Sequence, residues 1–121
     1  MAKTISFVIP VYRNEGSILP TFNKIKELFL ETKLKYQFIF INDGSDDNSL
    51  NELQSVFLSD KANVKVISFS RNFGQVSAVI AGFKEVSGDA VIMMSADLQE
   101  PIELIGQMIQ KWETGSEIVI C

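Results

Sequence analysis

Short apolar runs alternate along the chain with segments whose apolar residues recur every three or four positions. "TISFVIP", Thr4 to Pro10, is a β-rich run stopped by proline. Ile18, Phe22, Ile25 and Phe29 follow at helical spacing, which predicts an amphipathic helix. "YQFIFIN", Tyr36 to Asn42, is nearly continuous in apolar residues, as in a strand covered on both faces. A turn cluster, "DGSDDNS", comes next. Ser49 with Glu52 reads as a capping box for a helix carrying Leu50, Leu53 and Val56. "VKVISFS", Val64 to Ser70, predicts a third strand. Val76, Val79, Ile80, Phe83 and Val86 mark a third helix, with Gly88 just past its end. "AVIMMS", Ala90 to Ser95, predicts a fourth strand. Pro101 suits the first turn of a fourth helix, with Ile102, Ile105, Ile109 and Trp112 on one face and Gly115 as its stop. "EIVI", Glu117 to Ile120, predicts a fifth strand.

Strict alternation of strand and helix predicts an α/β fold, a Rossmann-like βαβ sandwich with a mainly parallel sheet and helices on both faces. The length fits one domain over residues 1–121. In a parallel sheet the segments after the strands collect along one edge. Here those segments are "PVYRNEGS", "NDGSDDNS", "SRNFGQ" and "SADLQEP". They hold nearly all the unusual polar chemistry, at the edge where open α/β sheets bind ligands.

Composition narrows the chemistry. At 46% hydrophobic the chain can bury a core, and its net charge of −4 without a basic cluster argues against a nucleic-acid partner. Histidine is absent, which removes His-based triads and His-ligated zinc. The single cysteine, Cys121, permits no intramolecular disulfide and suits a reducing, cytoplasmic compartment. No apolar stretch approaches the ~18 residues of a membrane span. "MAKTISFVIP" has too short an apolar run for a signal peptide. Neither GxGxxG nor GxxxxGK[ST] occurs.

Each post-strand segment has a functional and a structural interpretation. Asp97 and Gln99 are two apart, so an extended backbone would put both on one face. Their oxygens suit Mg2+ or Mn2+, with a diphosphate completing the shell; equally, they are turn or cap residues. Asp43 can accept from a ribose hydroxyl or a base N–H, while Asp-Gly is also a common turn and Asp46, Asp47 and Asn48 are typical caps. Pro10 and Tyr12 can wall a flat base and Glu15 can accept from base or ribose; a helix entry explains them too. Arg71 can neutralise a phosphate or pair with a nearby acid.

In order, "ISFVIPVYRNEGSI", "FIFINDGSDDNS", "SFSRNFGQVSAVIAGF" and "SADLQEPIELI" resemble the family 2 glycosyltransferases of the GT-A fold. The resemblance covers essentially the whole chain. It is nearest to the branch of dolichyl-phosphate mannosyltransferase and bacterial polyprenyl-phosphate sugar transferases. It implies transfer of a sugar from a UDP- or GDP-linked donor to an acceptor. By resemblance, Pro10, Tyr12 and Glu15 frame the nucleoside, and Asp43 contacts base or ribose in a loop shaped by Gly44 and Ser45. Ala96 and Asp97 are further candidates for contact with the nucleotide, and Arg71 remains a candidate for the phosphate from its place at the third strand end. Asp97 and Gln99 bind Mg2+ or Mn2+, which stabilises the leaving diphosphate.

Two departures stand out. Ser95 occupies the place of the first acid of the family's Asp-x-Asp motif. The chain is also about half the length of the family's catalytic domains, whose other half carries the acceptor site, the base of inverting members and any membrane anchor. It is therefore expected to be the donor-binding half of a longer glycosyltransferase, inactive alone, with no general base assignable. The resemblance further implies a polyprenyl-phosphate acceptor and a place at the cytoplasmic face of the membrane through the missing part; surface that this part would cover predicts a homo-oligomer or non-native association. Alternatives are a non-catalytic homologue that keeps nucleotide binding, a polysaccharide-type transferase and, remotely, a receiver-type signalling domain.

Overall fold

The computed structural model describes residues 3–30, 32–97 and 102–113. Along them run β1 (Thr4–Val11), α1 (Ile18–Glu27), β2 (Lys35–Asn42), α2 (Ser49–Ser59), β3 (Val64–Ser68), α3 (Gln75–Phe83), β4 (Ala90–Met93) and α4 (Ile102–Glu113). The expected fifth strand, the Gly115 stop, Pro101, Gln99 and Cys121 lie outside the described residues. The four strands pair in the order β3-β2-β1-β4, and each pairing is parallel. The α/β alternation and the mainly parallel sheet thus match the sequence pattern.

The two central strands organise the larger core. Phe7 on β1 sits opposite Phe38 on β2, and the rings stack 5.1 Å apart. Phe40 leaves the same face two residues on and stacks 5.7 Å from Phe38. From α1, Phe22 meets Phe38 edge-on at 4.8 Å. Leu53 and Val56 of α2 and Ile105, Met108 and Ile109 of α4 close the same cluster. Three helices therefore cover one face of the sheet.

The opposite face is packed by α3, and in a different way from the sequence expectation. Val76, Ile80 and Phe83 were expected to mark its core stripe, yet all three are exposed, Val76 by 74%. The buried residues of α3 are Ala78 and Gly82. The reason is clearance. A Cβ on Gly82 would lie 2.6 Å from Val8 Cγ1 and 2.7 Å from Ile41 Cδ1. The helix lies so close to β1 and β2 that only small residues fit between. Its large apolar residues point outward, so α3 is apolar on both sides, a pattern otherwise found in buried helices.

Gly88 also differs from expectation. It is five residues beyond the end of α3 and caps nothing. Its N–H donates to Ser6 Oγ at 3.0 Å, and a Cβ there would lie 2.5 Å from that oxygen. Ser6 is fully buried and donates to Gln37 Oε1 at 2.6 Å, which also accepts from Ser87 N–H. Gln37 donates in turn to the Glu85 carbonyl. This small polar network pins the approach to β4 beneath the sheet, with each buried polar group satisfied.

Two outcomes follow. Gly82→Ala should destabilise the fold by about 1–3 kcal/mol, because the new methyl has no room, while Ile80→Ser should stay within about 0.5 kcal/mol; urea unfolding compares the two. The second concerns Tyr36, whose hydroxyl donates to Asp60 Oδ2 at 2.7 Å. Burial, then that hydrogen bond, pushes its phenol from 10.0 up to about 12. A proton held more tightly in the folded state stabilises below pH 10.0, and that contribution is lost as pH climbs toward about 12. Absorbance titration should show the late phenolate step, and Tyr36→Phe should remove it and flatten stability across that window.

Candidate functional site

The carboxyl ends of the strands gather the candidate loops. Val11 of β1, Asn42 of β2 and Ser68 of β3 stand side by side in register. The chain leaves β1 through Tyr12, β2 through Asp43, β3 through Phe69 and β4 through Met94. A β-ladder cannot satisfy the N–H groups beyond its end, and side chains of the segment 42–52 satisfy many of them.

That segment grips the loop after β1. Ser45 Oγ accepts from Arg13 N–H at 3.0 Å and Ser49 Oγ from Asn14 N–H at 2.9 Å. Glu52 accepts from Gly16 N–H through one oxygen and from Leu19 N–H through the other, each at 2.7 Å. The expected Ser49–Glu52 capping box on α2 is thus absent: neither side chain caps its own helix, and α2 has no side-chain cap bond at Asn48. Glu52 instead caps α1 from its neighbour. A carboxylate there also favours the positive end of the α1 dipole.

Arg13 has a left-handed backbone, φ 54°, unusual for a residue with a side chain. Its guanidinium forks onto Asp46 at 2.9 and 3.0 Å and lies 4.9 Å from the centre of the Tyr12 ring. The hydrogen bond and charge of Asp46 raise its pKa. Both partners are exposed, so the pair fixes geometry more than stability. Burial pushes the Asp47 carboxyl up, but hydrogen bonds from the Ser49 side chain and backbone and from Glu15 N–H outweigh it, and the net shift is downward.

The same segment holds the loop after β3. Asp43 is only 3% exposed. Its Oδ1 accepts from Phe73 N–H at 2.8 Å, and its Oδ2 from Gly74 N–H and Asn72 Nδ2 at 3.1 Å each. Gly44 follows at φ 69°, and a Cβ there would lie 2.1 Å from the Arg71 carbonyl carbon. The Asp-Gly pair is therefore a turn pressed against the next loop. Arg71 stacks over the Phe73 ring at 4.6 Å and forms no salt bridge with an acid among the described residues.

The fourth segment is anchored by α1. Thr21, fully buried, directs its hydroxyl to the Ser17 carbonyl at 2.7 Å and the Ala96 carbonyl at 3.0 Å. Ser95 Oγ donates to Asp97 Oδ1 at 2.7 Å. Extended backbone ends at Met93, and Ala96 and Asp97 lie in a turn, so strand alternation does not set the direction of Asp97.

The structure thus joins Tyr12, Glu15, Asp43, Ser45 and Arg71 through one set of linked loops. Pro10 sits half-buried in β1 opposite Ile41, and Glu15 accepts from Asn48 N–H at a long 3.4 Å. Two candidates hold different positions from those expected. Ala96 is wholly buried in the main core and offers no surface to a ligand. Asp43 shapes the loops, and a base or ribose would draw on the acceptor capacity its three bonds leave. Thr21 is a residue the sequence pattern did not single out, and Ser49 and Glu52 read there only as a local cap, not as the link to the loop after β1. Thr21 had a signal, a polar residue inside the apolar stripe Ile18, Phe22 and Ile25.

A divalent cation fits this donor set in one form. Among the described residues, no three acidic side chains converge on a point, so they form no protein-only cage. Asp97 at the β4 exit supplies one carboxylate, which suits a cation shared with a diphosphate and water.

Glu52→Ala should lower stability by about 0.5–2 kcal/mol, the scale of a lost helix cap. Amide exchange at Gly16 and Leu19 should accelerate selectively, and an unchanged exchange pattern would rule out the cross-helix cap.

The glycosyl transferase family 2 model matches residues 6–121. The chain is 46% identical over 114 residues to the uncharacterized glycosyltransferase YkcC of Bacillus subtilis, covering 94% of this chain and 35% of that protein. It is 43% identical over 117 residues to the bactoprenol glucosyl transferase of Shigella phage SfV, covering 96% of this chain and 38% of the relative. The chain thus spans little more than a third of these relatives. Among solved structures, the mannosyltransferase PcManGT from Pyrobaculum calidifontis, in complex with GDP-Man and Mn2+, superposes with TM-score 0.75 at 13% identity, over 91% of this chain and 32% of that one. S. aureus TarS 1-349 in complex with UDP gives 0.68 at 20% identity, over 89% and 32%. The two superpositions share the GT-A fold with the present sheet, and the chain belongs to glycosyl transferase family 2.

Proposed function

We propose that this chain is the donor-binding half of a glycosyltransferase that moves a sugar from a nucleoside-diphosphate donor to an acceptor. The observation that carries the proposal is the carboxyl edge, where the loops after β1, β2 and β3 are tied together by hydrogen bonds and the segment of Asp97 is anchored to α1. Tyr12 and Glu15 lie on the exposed loop where a nucleoside would be framed, with Pro10 behind them. Ser45 holds that loop through Arg13 N–H, and Asp43 shapes the floor. Asp97, with Gln99 two residues on, would hold Mg2+ or Mn2+ against the diphosphate. The cation would supply charge stabilisation for the departing diphosphate. Arg71 is close enough in sequence to the Asp43-bound turn to reach a phosphate by leaving the Phe73 ring.

The acceptor we propose is a polyprenyl phosphate, because relatives 43% identical to this chain are named bactoprenol glucosyl transferases. A lipid phosphate is already an anionic nucleophile and needs little help from a base, which suits a chain whose loops hold no histidine. We infer that the whole enzyme would meet such an acceptor at a membrane, and we propose its cytoplasmic face. Among the described residues no helix is long and apolar enough to cross one. We further propose self-association, for which the outward apolar residues Val76, Ile80 and Phe83 of α3 offer a surface.

Calorimetry with UDP and GDP, with and without Mn2+, tests the donor site. One nucleotide should bind only with the metal, and Asp97→Asn should weaken that binding by about 10-fold or more. Metal-independent binding, or an Asp97→Asn variant that binds as tightly as the parent, would overturn the assignment of Asp97.

A further inference from the structure

We propose that Ser95 is a positioning residue for Asp97, whose carboxylate it holds through a hydrogen bond. The inference rests on the donor-site proposal above, because it concerns how that carboxylate is presented.

Three observations carry it. The Ser95 hydroxyl donates to Asp97 Oδ1 at 2.7 Å, a short contact typical of a hydroxyl bonded to a charged oxygen. The backbone between the two is fixed independently: Ala96 is wholly buried and its carbonyl accepts from the buried Thr21 hydroxyl. Lastly, Ala96 and Asp97 lie in a turn beyond β4, where no ladder holds the chain. A carboxylate on such a turn has two side-chain torsions to settle. Thr21 removes the backbone freedom and Ser95 removes much of the rotation of the carboxylate.

The consequence is directional. The Ser95 hydroxyl thus holds one oxygen of the carboxylate before any ligand arrives. A cation then meets an oriented oxygen and does not have to order one. An aspartate at position 95 would add charge but could not donate this hydrogen bond in its ionised form. Ser95 therefore exchanges electrostatic attraction for preorganisation. Partners that orient a metal-binding side chain in this way typically carry about 10–100-fold in metal affinity.

The test uses two variants of equal shape, Ser95→Thr and Ser95→Val, which differ in the hydroxyl alone. Free Mn2+ is followed by its electron paramagnetic resonance signal during titration in the presence of UDP or GDP, with thermal unfolding of each variant as a control. Ser95→Thr should bind Mn2+ and nucleotide close to the parent. Ser95→Val should bind both about 10-fold more weakly with the same melting temperature as Ser95→Thr. Equal affinities for the two variants would overturn the positioning role. Asp97→Asn separates the two proposals. If it abolishes metal-dependent binding while Ser95→Thr and Ser95→Val agree, the donor site stands and only the role of Ser95 falls. If Asp97→Asn also binds normally, the donor site itself is misplaced, and Ser95 has no metal ligand to position.

Discussion

Backbone N–H groups that emerge from a buried parallel sheet have no ladder partner, and the architecture of this edge follows from how they are satisfied. The loop after β1 is exposed at Arg13, Glu15 and Gly16, whereas the start of the loop held by Asp43 is part-buried. The solution here is to aim side-chain oxygens from one segment, residues 42–52, at the loops on either side. Glu52 accepts from two N–H groups at the start of α1. Asp43 accepts from two N–H groups and an amide at the start of α3. Charged acceptors make these bonds stronger than neutral ones, and burial of Asp43 shields its share from water. The loops after β1, β2 and β3 become parts of one linked edge instead of three independent excursions.

The tight approach of α3 belongs to the same design. Gly82 and Ala78 let the helix settle directly on β1 and β2, which brings its N-terminal turn, at Gly74, within reach of Asp43. A bulkier inner face would lift the helix and break those bonds. Packing on one face of the sheet thus determines polar geometry at its edge. The outward residues Val76, Ile80 and Phe83 are left without a role in this packing, and their surface is available to whatever the rest of a longer protein provides.

How much of this was legible in the sequence depends on which forces leave a periodic trace. Burial of strands does: Phe38 to Ile41 are all inaccessible, and their unbroken apolar run announced a strand covered on both faces. The stripe Ile18, Phe22 and Ile25 announced the inner face of α1 in the same way. Close approach leaves the opposite trace. On α3 the large apolar residues were the natural candidates for the core, whereas a 2.6 Å clearance selected glycine. Capping is equally deceptive. Ser49 and Glu52 have the spacing of a local box, but which N–H groups they meet depends on where α1 lies, and no local pattern encodes that. The site followed the same division: its edge was predictable from strand order, while the inward commitments of Asp43 and Ala96 came only with the packed loops.

Charge explains why these inward commitments matter for a ligand. The chain carries a net −4, and Glu15, Asp43, Asp46, Asp47, Glu52 and Asp97 crowd the edge where an anionic diphosphate would bind. Left undirected, that field would repel the ligand. Most of it is not undirected. Asp43, Asp47 and Glu52 face backbone N–H groups, and Asp46 faces the Arg13 guanidinium. Each carboxylate is thereby coupled to a positive end of a dipole or a cation at hydrogen-bond distance, and its field outside the protein falls off faster than that of a bare charge. The Ser95 hydroxyl donates to Asp97 in the same way, so most acids of this edge are aimed at donors of the protein itself, and the field that an approaching anion meets is weaker than the count of carboxylates suggests.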